Sequence, residues 1–183
     1  MTHAAPAPHD PAATGQELVA IGLGANLGDA RAALAWALQQ LQAHPRVTLR
    51  QVSSLYRTRP VEAEGPDYLN AVALLHTSLE PEALLRLLQD LELQAGRERP
   101  YRHAPRTLDL DLLLYGQRVL NSATLTLPHP RMHQRRFVLA PLAELAPDRP
   151  VAGGSTAHAA AERLEDQSME VVSALHWWGR KGA

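Results

Sequence analysis

The sequence predicts a single α+β domain, a mainly antiparallel sheet with helices packed on it, and three observations lead to this class. The 183 residues fit one domain, which at this size buries about 70% of the surface of its unfolded chain. Hydrophobic residues make up 45% of the chain and charged residues 20%, as in ordinary globular proteins. Segments with strand and helix periodicity alternate, and none repeats.

The first two elements are a buried strand and an amphipathic helix. Residues 18–23 are apolar and lead into a glycine-rich turn over residues 22–28. Asp29 is a candidate cap for a helix over Ala30–Ala43, in which leucines recur at helical spacing until Pro45 ends the element.

Two strands and a second helix follow. Residues 46–57 are rich in β-branched side chains and predict one strand, and residues 69–77 predict another. The loop between them, residues 58–66, contains prolines and glutamates and is a candidate lid over a site. Pro81 in a first turn, followed by leucines at helical spacing, predicts a helix that ends at Gly96.

The rest of the chain contains a basic loop at residues 97–106 and an apolar strand at residues 108–115. A helix is predicted over residues 132–145, with a kink or break at Pro141, and another over residues 157–166. The order strand, helix, strand, strand, helix, strand, helix matches a split βαβ, ferredoxin-like arrangement.

Composition excludes several functions. The net charge of −1 gives no general attraction for nucleic acid or an anionic membrane, and no apolar run reaches the roughly eighteen residues that span a bilayer. Cysteine is absent, which removes thiolate metal sites and cysteine nucleophiles, and Lys181 is the only lysine, which argues against a phosphate-loop lysine. We expect a cytoplasmic protein without nucleic-acid or membrane partners, and a monomer.

The strongest chemical signal is the pair Asp109 and Asp111. On a strand both point to one side, and the leucines point to the other, at positions 108, 110, 112 and 114. At about 5 Å two carboxylates repel by about 3 kcal/mol at an effective dielectric constant of about 20, so a cation must offset them. Such oxygen ligands suit Mg²⁺, which completes its shell with water and substrate phosphate. The alternative is the solvated face of an edge strand.

Arginines on the loop before this strand strengthen the prediction, since guanidinium groups grip phosphate oxygens while a metal neutralises others. They are Arg97, Arg99, Arg102 and Arg106. A solvated basic surface is the alternative.

A second group of residues suits a flat heterocycle. Tyr68 and Asn70 have strand spacing, so a ring for stacking lies beside an amide that can both donate and accept. The alternative is a half-buried strand face. Phe137, the only phenylalanine, has core packing as its default role. His129 is a candidate hydrogen-bond donor to a phosphate, and the alternative is a residue that only forms a turn. Pro130 lies between His129 and His133 and makes a continuous helix with i, i+4 spacing doubtful, so a zinc site is not predicted.

Several motifs together resemble the 6-hydroxymethyl-7,8-dihydropterin pyrophosphokinase family, over about residues 19–147 and in the same order. The matching segments are residues 24–28 (GANLG), 53–58 (SSLYRT), 66–72 (PDYLNAV), 92–97, 102–113 and 128–132 (PHPRM).

The resemblance implies a ferredoxin-like fold and a direct transfer of the terminal diphosphate of ATP to the pterin hydroxymethyl group, with release of AMP. It implies two Mg²⁺ ions at Asp109 and Asp111, with catalytic arginines at Arg97 and Arg106. The implied pterin-pocket positions are Thr58, Val61, Tyr68, Asn70 and Phe137. The implied ATP-binding positions are Gln89, Glu92, Arg102, His103, Leu112, Thr126, His129 and Arg135.

We therefore expect three regions: a disordered leader at residues 1–16, a catalytic pyrophosphokinase domain at 17–153 and a partly helical tail at 154–183. The tail includes Trp177 and Trp178 and has no assigned role. Two other functions remain open from the residues alone. One is a metal-dependent nucleotidyl transferase or phosphoesterase, and the other is a nucleotide-binding module without turnover.

Overall fold

A computed structural model describes residues 16–60, 64–96, 108–174 and 176–179. The leader, apart from its last residue, lies outside this part, as do the middle of the candidate lid and the basic loop. The strands are β1 (Glu17–Ala25), β2 (Val47–Val52), β3 (Leu55–Thr58), β4 (Tyr68–Thr77), β5 (Asp109–Tyr115), β6 (Leu120–Asn121), β7 (Thr126–Leu127), β8 (Pro150–Val151), β9 (Ser155–Thr156) and β10 (Glu170–Ser173). The helices are α1 (Ala30–Ala43), α2 (Pro81–Gln94), α3 (Arg136–Leu145) and α4 (Ala157–Glu162), with a 3-10 turn at Met132–Gln134.

A six-stranded sheet organises the described part of the chain. Its order is β10-β3-β4-β1-β5, and β2 pairs with the second half of β4 while β3 pairs with the first half. Every pairing in this sheet is antiparallel. The predicted α+β class with a mainly antiparallel sheet is therefore confirmed, and the acidic strand β5 lies at one edge.

The two faces of the sheet are covered differently. Leucines of α1 and α2 pack on one face, together with alternate residues of β1, β4 and β5. Residues of α3 and α4 cover part of the other face. Because α3 begins only at Arg136, the ends of β1, β4 and β5 near Gly24, Asn70 and Asp109 remain available for a site.

Helix α1 has the predicted bounds, and its predicted cap is present: the Asp29 carboxylate accepts a hydrogen bond from the Ala32 N–H at 2.9 Å. Strand β1 is longer than predicted, so the glycine-rich segment is strand as far as Ala25 and turns only afterwards, at Gly28 with φ 59°.

The prediction of one strand over residues 46–57 is wrong. The strand breaks at Ser53 and Ser54, because Ser53 N–H donates to Val72 O at 2.9 Å while its Oγ accepts from Val72 N–H at 2.9 Å. This side-chain bond replaces a regular ladder bond and redirects the chain into β3.

The predicted alternation of leucines in β5 is correct only as far as Leu112. The register with β1 shifts between Ala20 and Ile21, so Leu113 is an extra residue on β5. As a result Leu113 and Leu114 both contact the α3 and α4 side, whereas Leu114 was predicted on the opposite face from the aspartates.

The predicted helix over residues 132–145 is interrupted near Arg135 rather than at Pro141. Arg135 has extended backbone between the 3-10 turn and α3, and α3 then continues through Pro141. The last predicted helix is shorter than expected and ends at Glu162. None of the helices in the described ranges is long and apolar enough to cross a membrane.

Candidate active site

Two glycines of β1 form the floor of the site. Gly24 lies in register between Asp109 of β5 and Asn70 of β4, and Gly22 lies between Asp111 and Val72. A Cβ atom on Gly24 would approach the Asn70 Oδ1 to 3.1 Å, which is tighter than ordinary contact. The floor therefore has no side chain between the carboxylates and the amide.

Asp109 and Asp111 are half-buried and share the face of β5 that looks toward this floor, as predicted. Arg135 reaches Asp111 from the start of α3, with 3.4 Å between Nη1 and Oδ2. His129 approaches the other oxygen, with 3.9 Å between its Nε2 and Oδ1 of Asp111. Three residues that the sequence placed at phosphate or metal positions thus lie together.

His129 is fixed by the backbone and is neutral at pH 7. The backbone N–H of His129 donates to Leu113 O at 2.9 Å, and the ring Nδ1 accepts from the backbone N–H of Arg131 at 3.1 Å. Burial, and then the nearby Arg135 and Arg131, lower the pKa of His129 to about 4. Since Nδ1 is an acceptor, the ring proton lies on Nε2. His129 can therefore donate to an anion and does not present a free nitrogen lone pair there.

The two carboxylates are suitable donors for Mg²⁺. Within the described ranges no group of three or more His, Asp or Glu side chains gathers into a closed metal cage. Mg²⁺ is commonly held by one or two carboxylates and otherwise by water and substrate phosphate, so this donor set fits it.

Asn70 and Thr58 form the polar side of the other half of the site. Asn70 is 5% exposed, and its Nδ2 donates to Thr58 Oγ1 at 2.8 Å. That bond orients the amide and leaves its Oδ1 toward Gly24. Tyr68 is half-buried on β4 and lies directly opposite Thr58 of β3, so its side chain is on the same face of the sheet as those of Thr58 and Asn70. Three of the predicted pterin positions therefore adjoin one another.

Phe137 lies in the first turn of α3, half-buried, with the guanidinium carbon of Arg135 at 5.6 Å from the centre of its ring. The start of α3 thus brings an aromatic ring and the arginine that contacts Asp111 to the same end of the sheet.

The predicted nucleotide positions in the described residues lie on different elements around β5. Gln89 is exposed on α2, and Thr126 is half-buried on β7. Leu112 is 3% exposed and packs on the side of α1 and α2, so any contact it makes with a nucleotide must come from its backbone. Val61, Arg97, Arg102, His103 and Arg106 lie outside the described residues.

Glu92 is 2% exposed and does not point to the floor. Its Oε1 accepts a hydrogen bond from the Leu110 N–H at 2.8 Å, between the two aspartates. Because β5 is an edge strand among the described residues, this bond satisfies an N–H that none of the described strands pairs with.

Replacing Glu92 by alanine should lower the free energy of unfolding by about 1–3 kcal/mol, since the buried Leu110 N–H loses its acceptor. Glu92→Gln keeps an acceptor oxygen and should lose clearly less. Urea denaturation measures both, with Asp90→Ala on the exposed side of the same helix as control. Equal losses for the alanine and glutamine variants would show that the hydrogen bond to Leu110 is unimportant.

Sequence reasoning assigned no role to two residues that shape the site from outside, Asn26 and Glu144. The Asn26 Nδ2 donates to Pro66 O at 3.2 Å and so ties the candidate lid to the end of β1. Glu144 of α3 accepts from the Ser54 N–H and Oγ, both at 2.9 Å, and from the Tyr56 hydroxyl at 2.5 Å. A sequence pattern gives no signal for these contacts, because they join distant segments.

Paired carboxylates with an arginine and a neutral histidine, beside a buried amide and aromatic rings, are the groups that a phosphotransfer enzyme acting on a flat polar molecule requires. The family model of 7,8-dihydro-6-hydroxymethylpterin-pyrophosphokinase (HPPK) matches residues 20–147. The chain belongs to this family, and the resemblance of its motifs is confirmed.

Curated relatives agree. The chain is similar to the 2-amino-4-hydroxy-6-hydroxymethyldihydropteridine pyrophosphokinases of Synechocystis sp. and Bacillus subtilis. Identity is 45% over 70% of this chain and 66% of the first, and 46% over 68% of this chain and 75% of the second. The enzyme of the same name from Methylorubrum extorquens is 40% identical over 83% of this chain and 96% of its own length.

Among solved structures, Plasmodium falciparum HPPK-DHPS wild type is similar with a TM-score of 0.64 and 12% identity. The match covers 81% of this chain and 41% of that chain, so this chain spans less than half of that protein. The likeness shows the fold, and the predicted ferredoxin-like class is confirmed.

Proposed function

We propose that the chain transfers the terminal diphosphate of ATP to the hydroxymethyl group of 6-hydroxymethyl-7,8-dihydropterin, with release of AMP, as a step of folate biosynthesis. One observation carries the proposal: Asp109 and Asn70 lie in one row across the sheet with only Gly24 between them. Two strand spacings place their backbones about 10 Å apart. A phosphate chain held by the first and a heterocycle held by the second would be adjacent.

Asp109 and Asp111 are the residues that would hold Mg²⁺, and two ions are expected. When bound, Mg²⁺ neutralises charge on phosphate oxygens during the transfer. Arg135 and the Nε2–H of His129 lie on either side of Asp111 and would orient the same oxygens. We assign Arg97, Arg102, His103 and Arg106 to the phosphates and the nucleotide, as the family resemblance implies.

On the pterin side, Asn70 would pair with the polar edge of the ring while Thr58 holds the amide in place. Tyr68 and Phe137 would stack on its faces, and Val61 would complete the pocket. The bare floor at Gly24 would let the hydroxymethyl group approach the phosphate chain.

The reaction needs no protein nucleophile. The hydroxymethyl oxygen forms a bond to the β-phosphorus, and the bond from the β-phosphorus to the bridging oxygen of the α-phosphate breaks. The electron pair of that bond leaves with AMP, and the hydroxyl proton passes to solvent. Positioning and charge neutralisation supply the acceleration.

The test is to incubate the full chain with Mg²⁺, ATP and 6-hydroxymethyl-7,8-dihydropterin and to separate the nucleotides. AMP formed in equal amount with a diphosphorylated pterin is the expected result. ADP would indicate transfer of one phosphoryl group. Nucleotide hydrolysis without a pterin product would indicate a phosphoesterase, and no nucleotide consumption by folded protein would favour a binding module. The cytoplasmic location and the monomeric state remain predictions.

A further inference from the structure

The C-terminal segment, residues 170–174 and 176–179, returns to the main sheet next to the strand that carries Thr58. Strand β10 pairs with β3, with Val171 opposite Tyr56 and Glu170 opposite Arg57. The Arg57 Nη1 and Glu170 Oε2 are 3.5 Å apart at the outer end of this pairing. The segment lies beyond residues 20–147, which the family model matches.

Trp177 anchors this segment in the core. Its side chain is 6% exposed and packs with the residues beneath α1 and α2. The indole Nε1–H donates to Ser53 O at 2.9 Å, and Arg31 donates to Trp177 O at 3.2 Å. The preceding His176 has φ 68°, a left-handed conformation that a residue with a side chain adopts at a cost.

Ser53, the acceptor for Trp177, is the residue that sets the direction of β3. Its N–H and Oγ both bond to Val72, and the following Ser54 is held by Glu144. Trp177 takes the remaining backbone group of Ser53, the carbonyl. The start of β3 is thus fixed by β4, by α3 and by the C-terminal segment at once.

The short length of β3 makes this fixation important for the pocket. β3 ends at Thr58 and pairs with β4 through only three residue pairs, the last being Thr58 with Tyr68. Thr58 accepts the hydrogen bond that orients Asn70. The aspartates lie on β5, at the opposite edge of the sheet from β10.

We propose that the C-terminal segment is a brace that positions the pterin side of the site, and that Trp177 is a positioning residue acting through Ser53 and β3. This inference rests on the proposed function. It predicts a selective effect, because Trp177 is hydrogen-bonded to Ser53 at the start of β3, the strand that carries Thr58, whereas β5 lies at the opposite edge of the sheet.

The experiment uses steady-state kinetics of the full chain with Trp177→Phe, which keeps a buried ring and removes the donor to Ser53 O. The KM for the pterin should rise at least about threefold, as expected for the loss of one buried hydrogen bond, while kcat and the KM for ATP stay nearly constant. The matched control is the adjacent, half-buried Trp178. Trp178→Phe should leave kcat and both KM values unchanged.

Hydrogen exchange of the unaltered protein tests the same coupling without a mutation. If the brace positions the pterin side, pterin binding must in turn stabilise the brace, and the β10 amides should exchange at least about twofold more slowly with pterin than with ATP alone. Because it uses the unaltered protein, this measurement tests the proposed brace even if Trp177→Phe does not fold.

The two proposals fail in different ways. No pterin-dependent AMP from the unaltered chain would overturn the proposed function and this inference with it. Normal turnover by the unaltered chain, with an unchanged pterin KM in Trp177→Phe or equal rises in both KM values, would overturn the brace alone. Exchange in β10 that does not respond to pterin would also overturn it.

Discussion

Asp111→Asn should lower turnover by at least about a thousandfold while the protein remains folded. The change keeps the shape of the side chain but removes the charge that would bind Mg²⁺ and that faces Arg135 and His129. Stability should change little, since the Asp111 side chain is 31% exposed and ion pairs of this kind contribute at most about 1 kcal/mol. Initial rates of AMP formation across a Mg²⁺ titration measure the effect.

The matched control is Asp148→Asn, an exposed aspartate beyond α3, which should keep normal turnover. Thermal unfolding of both variants separates lost chemistry from lost structure. Near-normal turnover of Asp111→Asn at saturating Mg²⁺ would contradict the assignment of this carboxylate to the metal.

Gly24→Val should raise the KM for the pterin about a hundredfold, the effect of a few kcal/mol of steric conflict in a packed site. Even a single Cβ atom at this position would lie 3.1 Å from the Asn70 Oδ1, and Asn70 is already held by Thr58. The two further methyl groups of valine would occupy the space between the amide and Asp109. Steady-state kinetics with varied pterin at saturating ATP measure this change.

A pair of alanine variants on the same strand face tests the steric reason directly. Gly24→Ala should raise the pterin KM, whereas a Cβ atom on Gly22 would meet Leu113 only at 3.5 Å, an ordinary contact, so Gly22→Ala should have little effect on it. Equal effects of the two alanine variants would mean that Asn70 is not the critical neighbour.

Local patterns in the sequence were sufficient for most of the elements. The leucine spacing of both helices, the Asp29 cap of α1 and Pro81 in the first turn of α2 predicted α1 and α2, because a helix end and an apolar face depend on residues a few positions apart. The alternation of β5 predicted that Asp109 and Asp111 share a face, since side-chain direction in a strand has a period of two.

The errors arose where a distant segment decides the local structure. The break at Ser53 depends on Val72, and the shift at Leu113 depends on how β5 pairs with β1. The chain likewise gives no local sign that Glu92 accepts a hydrogen bond from the Leu110 N–H.

By itself the sequence determined the α+β class, the family, and the acidic and aromatic residues that we propose bind a metal and a heterocycle. Only the tertiary structure decided that Gly24 separates Asp109 from Asn70, that β5 is an edge strand, and that Trp177 is buried against Ser53. The reason is physical: side-chain type and periodicity are properties of neighbours along the chain, whereas strand order, register and burial depend on contacts between residues up to 146 positions apart.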